Sequence, residues 1–196
     1  LSPPSRPPRI FVTVGTHEQG FPRVLAAVAN VAMLWSERHE PAEWILQAGP
    51  ATVSLPPVVS HFPSCSYTEI LRHLDWADVT VCQSAPGSVF AAIAQRATPI
   101  VVPRSRSLGE HVDDHQHAFA NHLAAERIAT VVTNTELLGE ALLAAISEPR
   151  DARIERLAQL EAASRKRTQH WSRRVGQEIE SLCATSTHGQ RVSRVR

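Results

Sequence analysis

Residues 10–20 read Ile10-Phe11-Val12-Thr13-Val14-Gly15-Thr16-His17-Glu18-Gln19-Gly20, and the stretch that follows, Phe21 to Arg38, carries apolar residues three and four apart. A β-rich apolar run that breaks at a glycine and gives way to helical periodicity is one strand–turn–helix unit. The pattern recurs along the chain. Strand-length apolar runs occupy Ile10 to Val14, Trp44 to Gln47, Val58 to Phe62, Val79 to Cys82, Pro99 to Val102 and Ile128 to Val132. Helical periodicity fills Phe21 to Arg38, Tyr67 to Trp76, Ser88 to Arg96, Val112 to Ala125 and Thr135 to Ile146. Parallel strands need crossover connections, and the helices that make them cover both faces of the sheet. The sequence therefore predicts a doubly wound α/β fold around a parallel sheet.

Composition sets the scale. With 196 residues, 43% of them hydrophobic, the chain can bury a real core and build one α/β domain or one half of a two-domain enzyme. No window holds 18 uncharged apolar residues, so no membrane span is predicted. Residues 1–8 read as a flexible leader, because no apolar segment follows the early arginines as a secretory signal requires. Cys65, Cys82 and Cys183 show no C-x-x-C spacing and read as buried thiols in a reducing compartment, which places the protein in the cytoplasm.

The formal charge of +1 hides an asymmetry: residues 1–149 carry 9 basic and 14 acidic side chains, and residues 150–196 carry 11 and 5. A basic tail on an acidic body can meet phosphates of nucleic acid or of an anionic membrane surface, or form a solvated helix face. Within 148–183, Ile154, Leu157, Trp171, Val175, Ile179 and Leu182 form an apolar stripe, which predicts a long C-terminal helical extension. Gly176 can mark a bend in it. Residues 184–196 turn to Ser, Thr, Gly and Arg without periodicity and are expected to be a disordered basic tail.

In doubly wound sheets ligands sit at the carboxyl ends of the strands, where helix N-termini offer unpaired N–H groups. Three segments place polar or small residues at that edge. The first is Gly15 to Gly20, where Gly15 lets backbone approach a ligand and Thr16 offers a hydroxyl; a plain strand–helix turn is the simpler reading. It is neither a dinucleotide fingerprint nor a P-loop. The second is Gln83-Ser84-Ala85-Pro86-Gly87-Ser88, where Ser84 or Ser88 can cap a helix whose first turn can hold a diphosphate. The third runs from Arg104 to Gln116 and contains Gly109-Glu110-His111-Val112-Asp113-Asp114-His115-Gln116-His117. On a helix His111, His115 and His122 share one face, at the spacing of a zinc pair, but no H-E-x-x-H is present and no third ligand stands out, so no metal is expected. Asp113 and Asp114 read as partners of the helix dipole, and Gln116 can both donate to and accept from a sugar hydroxyl.

Taken together and in this order, Phe11-Val12-Thr13-Val14-Gly15-Thr16-His17-Glu18-Gln19 with Phe21, Gln47-Ala48-Gly49, Gly87-Ser88, Pro99 to Pro103 and Glu110-His111-Val112-Asp113-Asp114-His115-Gln116 resemble the C-terminal domain of glycosyltransferase family 28. Residues 9–147 carry the resemblance. Among stand-alone members it is similar to the catalytic subunit of the dolichol-pathway UDP-N-acetylglucosamine transferase and, more closely, to the small PssE/EpsE-type subunit of bacterial exopolysaccharide glycosyltransferases. The resemblance implies a Rossmann-like, donor-binding C-terminal half of a GT-B enzyme that inverts the anomeric carbon of a UDP-sugar without a metal or other cofactor. It implies a membrane-associated, PssD-like partner subunit that binds a lipid-linked or polysaccharide acceptor, and so a location at the inner face of the membrane. No nucleic-acid partner is expected.

By similarity Gly15 and Thr16 would face the diphosphate. Ser84, Gly87 and Ser88 would belong to the helix-terminus anion site, and His111, Asp114, His115 and Gln116 would surround the sugar and phosphates. His17 and His111 are the candidate catalytic residues, with His17 the one candidate base in the first loop. The sequence departs from its relatives where they read His-Ala-Gly-Ala-Gly-Ser, and it has Ala91 where an acidic residue usually receives the ribose hydroxyls. Those departures also fit a non-catalytic member that serves as a partner-binding subunit. A nucleotide-sugar epimerase on the same half-fold is a further alternative.

Overall fold

In the computed structural model every strand-length run becomes a strand of one sheet. The structure describes residues 6–38, 42–51, 53–95 and 98–149, and beyond them 151, 152, 154–156, 158, 159 and 162. The strands are β1 (Arg9–Thr13), β2 (Glu43–Gln47), β3 (Val59–Phe62), β4 (Val79–Gln83), β5 (Thr98–Val102) and β6 (Thr130–Val131). The helices are α1 (Pro22–Arg38), α2 (Tyr67–Trp76), α3 (Pro86–Ala94), α4 (His115–Ala125) and α5 (Leu138–Ser147). The sheet order is β3-β2-β1-β4-β5-β6 and every pairing is parallel, as the sequence predicts.

Alternation along β1 shows why both faces need cover. Ile10 and Val12 point into a core shared with Leu25 and Val28 of α1 and Leu138 and Leu142 of α5. Phe11 points the other way, to Leu74 of α2 and to Ala91 and Ala92 of α3. Burying side chains of this size stabilises the fold by about 1.5–3 kcal/mol each. Helix α2 starts on a capping box: the Ser66 hydroxyl accepts from the Glu69 N–H while Glu69 accepts from the Ser66 N–H.

The described residues that connect β2 to β3 form no helix, in line with the absence of helical periodicity there. Two expectations are corrected. Helix α4 begins at His115 rather than Val112: Glu110 is drawn to Arg23, Asp114 Oδ1 accepts from the Arg106 N–H and Asp113 Oδ1 accepts from the His115 N–H, which holds residues 110–114 in a non-helical turn. Cys65 is half-buried rather than buried; Cys82 is buried and desolvation pushes its thiol up to about 12. Cys183 lies outside the described residues, as do residues 1–5 of the predicted leader, the 184–196 tail and most of the 148–183 extension. Among the described residues no helix is long and apolar enough to cross a membrane.

Candidate functional site at the carboxyl edge of the sheet

The chain leaves β1 toward β2 and leaves β4 toward β5, in opposite directions across the sheet, so the switch point lies between the adjacent strands β1 and β4. A crevice at the carboxyl ends of such strands is where doubly wound folds bind ligands. The loops after β1, β4 and β5 all emerge at this edge.

The loop after β1 is fixed from beneath. Buried Gln47 at the end of β2 uses its whole amide: Oε1 accepts from the Thr13 hydroxyl at 2.8 Å and the Gly15 N–H at 3.0 Å, and Nε2 donates to the carbonyls of Gly15 and Pro63. Gly15 sits at φ +75, and a Cβ there would overlap the Gln83 amide, so only glycine fits. Beyond it Thr16 and His17 are exposed.

The loop after β4 leaves a helix end open. The N-cap of α3 is Ala85, which has no side-chain oxygen, and neither Ser84 nor Ser88 caps the helix. Ser84 is fully buried and its Oγ has no hydrogen-bond partner among the described residues. Pro86 at the first position has no N–H to offer, and the Val89 N–H is already bound to the Ala85 carbonyl. The first-turn donors that remain are the N–H groups of Gly87 and Ser88. No atom lies within 4 Å of where a Gly87 Cβ would stand, so the space above this turn is open. Ala91 is turned away from it, into the apolar cluster with Phe11 and Leu74.

The stretch from Glu110 to the first residue of α4 gathers the histidines, although residues 110–114 are not helical. His111 packs against His17, with ring centroids 4.8 Å apart and the planes tilted by 36°, and meets His115 edge-on at 4.7 Å. Asp113 Oδ1 lies 3.4 Å from His111 Nδ1 and in direct contact with His115 Nδ1. His122 is exposed further along α4 and does not join them. The third ligand that the sequence does not single out is thus Asp113: its carboxylate and the two imidazoles bring three metal-competent atoms within 4.8 Å of one another. Asp114 is the N-cap of α4 but does not cap it; its Oδ1 accepts from the Arg106 N–H at 2.9 Å. Gln116 is buried, with Oε1 accepting from the Arg104 N–H and Nε2 without a partner among the described residues.

One residue ties the loops together, and sequence reasoning passes over it as part of a basic stretch. Arg104 is 0% exposed. Its Nε donates to Gln83 Oε1 at 2.7 Å, its Nη1 to the carbonyls of Gln19, Gly20 and Glu110, and its Nη2 to the Val14 carbonyl at 2.8 Å. Its guanidinium also lies over the Phe21 ring. Burial lowers its pKa, Glu110 opposes that, and Arg23 adds to it. Glu110, also buried, accepts from Arg23 at 2.7 Å and from the Ser105 N–H. A sequence signal existed in the arginine directly after an apolar strand, but nothing local distinguishes it from exposed Arg106.

The electrostatics of the histidine group follow from its crowding. Burial, then the positive charge that His115 would carry, hold the His111 imidazole below its ordinary range; Asp113 opposes them, and His17 and Arg104 add small pushes the same way. Hydrogen bonds from the backbone and ring of His115 hold the Asp113 carboxyl below the usual range. A neutral imidazole near pH 7 can accept a proton.

The sequence model of the glycosyltransferase family 28 C-terminal domain matches residues 9–170. The chain belongs to that family. No curated protein matches it. Among solved structures, the kitacinnamycin glycosyltransferase shares the fold with a TM-score of 0.61 at 20% identity, over 85% of this chain and 41% of that one. MurG of Acinetobacter baumannii does so with 0.55 at 19%, over 79% and 45%. The spinosyn rhamnosyltransferase SpnG, complexed with thymidine diphosphate, gives 0.53 at 15%, over 80% and 42%. The chain therefore spans less than half the length of these relatives. Its sheet matches the C-terminal half of GT-B glycosyltransferases.

In this family 28 domain the candidate residues fall into two groups. Thr16, His17, Gly87, Asp114 and His115 are exposed, and Gly15, Ser88 and His111 are half-buried. Ser84 and Gln116 are buried; the Gln116 Oε1 is taken by the Arg104 N–H, and the Ser84 Oγ has no partner among the described residues.

Proposed function

We propose that this chain is the catalytic, donor-binding component of an inverting glycosyltransferase that takes a hexosyl group from a UDP-sugar. The observation that carries the reading is the uncapped first turn of α3, at the switch-point edge that also holds the His17–His111 pair. The N–H groups of Gly87 and Ser88 and the positive end of the helix would receive the diphosphate, with the Gly15-Thr16 turn facing it across the β1–β4 crevice. A nucleoside diphosphate suits such an end, and SpnG is a neighbour of this fold complexed with one. Asp114, His115 and Gln116 would border the sugar.

The transfer is one displacement. The acceptor oxygen forms a bond to the anomeric carbon as the bond from that carbon to the diphosphate breaks, and the hydroxyl proton passes to an imidazole. His111, its pKa held below the ordinary imidazole range, and His17, packed against it, are the two candidates for that one base. Charge growing on the departing diphosphate is met by the N–H groups of α3 and needs no metal. The acceptor, lipid-linked or polysaccharide, would be presented by a membrane-associated partner of the PssD type, which would hold this chain at the inner face of the membrane with help from the basic residues beyond 150.

A second reading, a non-catalytic partner-binding member, is favoured by one observation. Ala91 faces the apolar cluster, so α3 offers no carboxylate for the ribose. Titration of the purified chain with UDP and UDP-hexoses, alone and co-expressed with its partner, separates the two. Saturable UDP binding and transfer by the pair support catalysis; an absence of nucleotide binding in both preparations overturns it.

A further inference from the structure

We propose that His111, Asp113 and His115 form a binding site for a divalent transition metal of the zinc class, and that the bound metal withdraws His111 from proton transfer. The second half rests on the function proposed above; the first does not. The ligand chemistry is two imidazoles and one carboxylate, the borderline set that suits zinc, with remaining positions open to water.

One donor pair already has the spacing of such an ion, and the His115 ring, in direct contact with Asp113, has to turn back to admit it. Donor atoms about 2.0–2.1 Å from a tetrahedral metal lie about 3.3–3.4 Å from one another. His111 Nδ1 and Asp113 Oδ1 are 3.4 Å apart, and all three donor atoms fall within 4.8 Å. The Asp113 carboxylate faces two imidazoles and pairs with no arginine or lysine among the described residues, so no fixed cation competes with a metal for it. The three ligands alternate along five residues, and both ends of that stretch are pinned. Glu110 is held by Arg23 and its carbonyl by Arg104, while Asp114 is tied to the Arg106 N–H. The His115 N–H donates to Asp113 Oδ1 at 3.1 Å, which orients the central carboxylate. A pinned loop loses little freedom when it closes on an ion.

A metal on His111 Nδ1 leaves the ring proton on Nε2, so that imidazole can no longer accept one from an acceptor hydroxyl. Metal should therefore inhibit transfer, and a chelator should restore it.

The untagged full chain, stripped with chelator and dialysed, is titrated with Zn²⁺ by calorimetry, with Co²⁺ absorption as a second probe of coordination. One ion per chain is expected at this site, with affinity reduced at least about tenfold in Asp113→Asn and in His115→Gln and unchanged in His122→Gln. Circular dichroism confirms folding of each variant, whose changed side chains are exposed. Zn²⁺ binding that is absent, or indifferent to both ligand substitutions, overturns the site. UDP titration of the same stripped chain reads the donor function separately. A chain that binds UDP and no Zn²⁺ overturns the metal site alone. One that binds Zn²⁺ through these residues and no UDP supports the site and overturns the donor reading.

Discussion

Replacing Arg104 by Met keeps a side chain of similar length over Phe21 and removes five hydrogen bonds at once. Three of these bonds, to Gln83, Gln19 and Gly20, border solvent, and water can take the place of the guanidinium there. The other two, to the carbonyls of Val14 and Glu110, are fully buried. Each orphaned buried acceptor costs about 1–3 kcal/mol, so the substitution should destabilise the domain by about 2–6 kcal/mol. Against a total stability of about 5–15 kcal/mol, that leaves a folded but weakened protein in most of the range. With a urea slope of about 2 kcal/mol/M the midpoint should fall by about 1–3 M.

Arg104→Lys is the control. A single ammonium cannot span Gln83, Val14 and Glu110 together, so it should recover less than half of the loss. The same variants should lose affinity for UDP, since the loops after β1 and β5 are no longer held in one arrangement. A midpoint shift below about 0.5 M in Arg104→Met would refute the claim that this guanidinium organises the edge.

Gly15→Ala should destabilise by more than about 1–2 kcal/mol, because left-handed backbone and the Gln83 overlap add, and thermal unfolding measures it. Gln116→Ala removes the acceptor for the buried Arg104 N–H and should cost about 1–3 kcal/mol in urea unfolding; calorimetry should show a larger loss of affinity for UDP-sugar than for UDP, relative to the unsubstituted chain. Transfer by the assembled enzyme should depend on neutral His111, whose pKa lies below its ordinary value of about 6.5. Activity should therefore be full at neutral pH and fall as pH drops through that lowered value, and a midpoint above pH 7 in the rate profile would contradict the assignment.

The sheet was legible because its evidence is local. Each strand is an apolar run that ends on a small or polar residue, and alternation along Ile10, Phe11 and Val12 assigns them to opposite faces without knowledge of distant residues. The candidate loops followed from the same reading. The start of α4 was not legible, because His111, Val112, Asp113 and Asp114 fit helical spacing well, and what unwinds them is distant: Glu110 is drawn into an ion pair with Arg23, 87 residues away in sequence. Arg104 was invisible for the same reason, since three of its acceptors are carbonyls that lie 84 to 90 residues earlier, and a backbone carbonyl leaves no mark in sequence.

That contrast bears on how the site is divided. The buried groups, Gln47, Arg104, Glu110 and Gln116, have most of their polar atoms committed to loop backbone or to one another. Such groups are costly to disturb and slow to change partners, so they hold geometry rather than react. The exposed groups, His17, Asp113 and His115, make few contacts outside their own cluster, and His111 joins them to the framework beneath. Chemistry and ligand choice can therefore vary in the outer layer while the inner one stays fixed. A substitution in the outer layer should change binding or rate at constant stability, and one in the inner layer should change both together. The ratio of the two effects, measured for His115→Gln against Arg104→Met, tests this division directly.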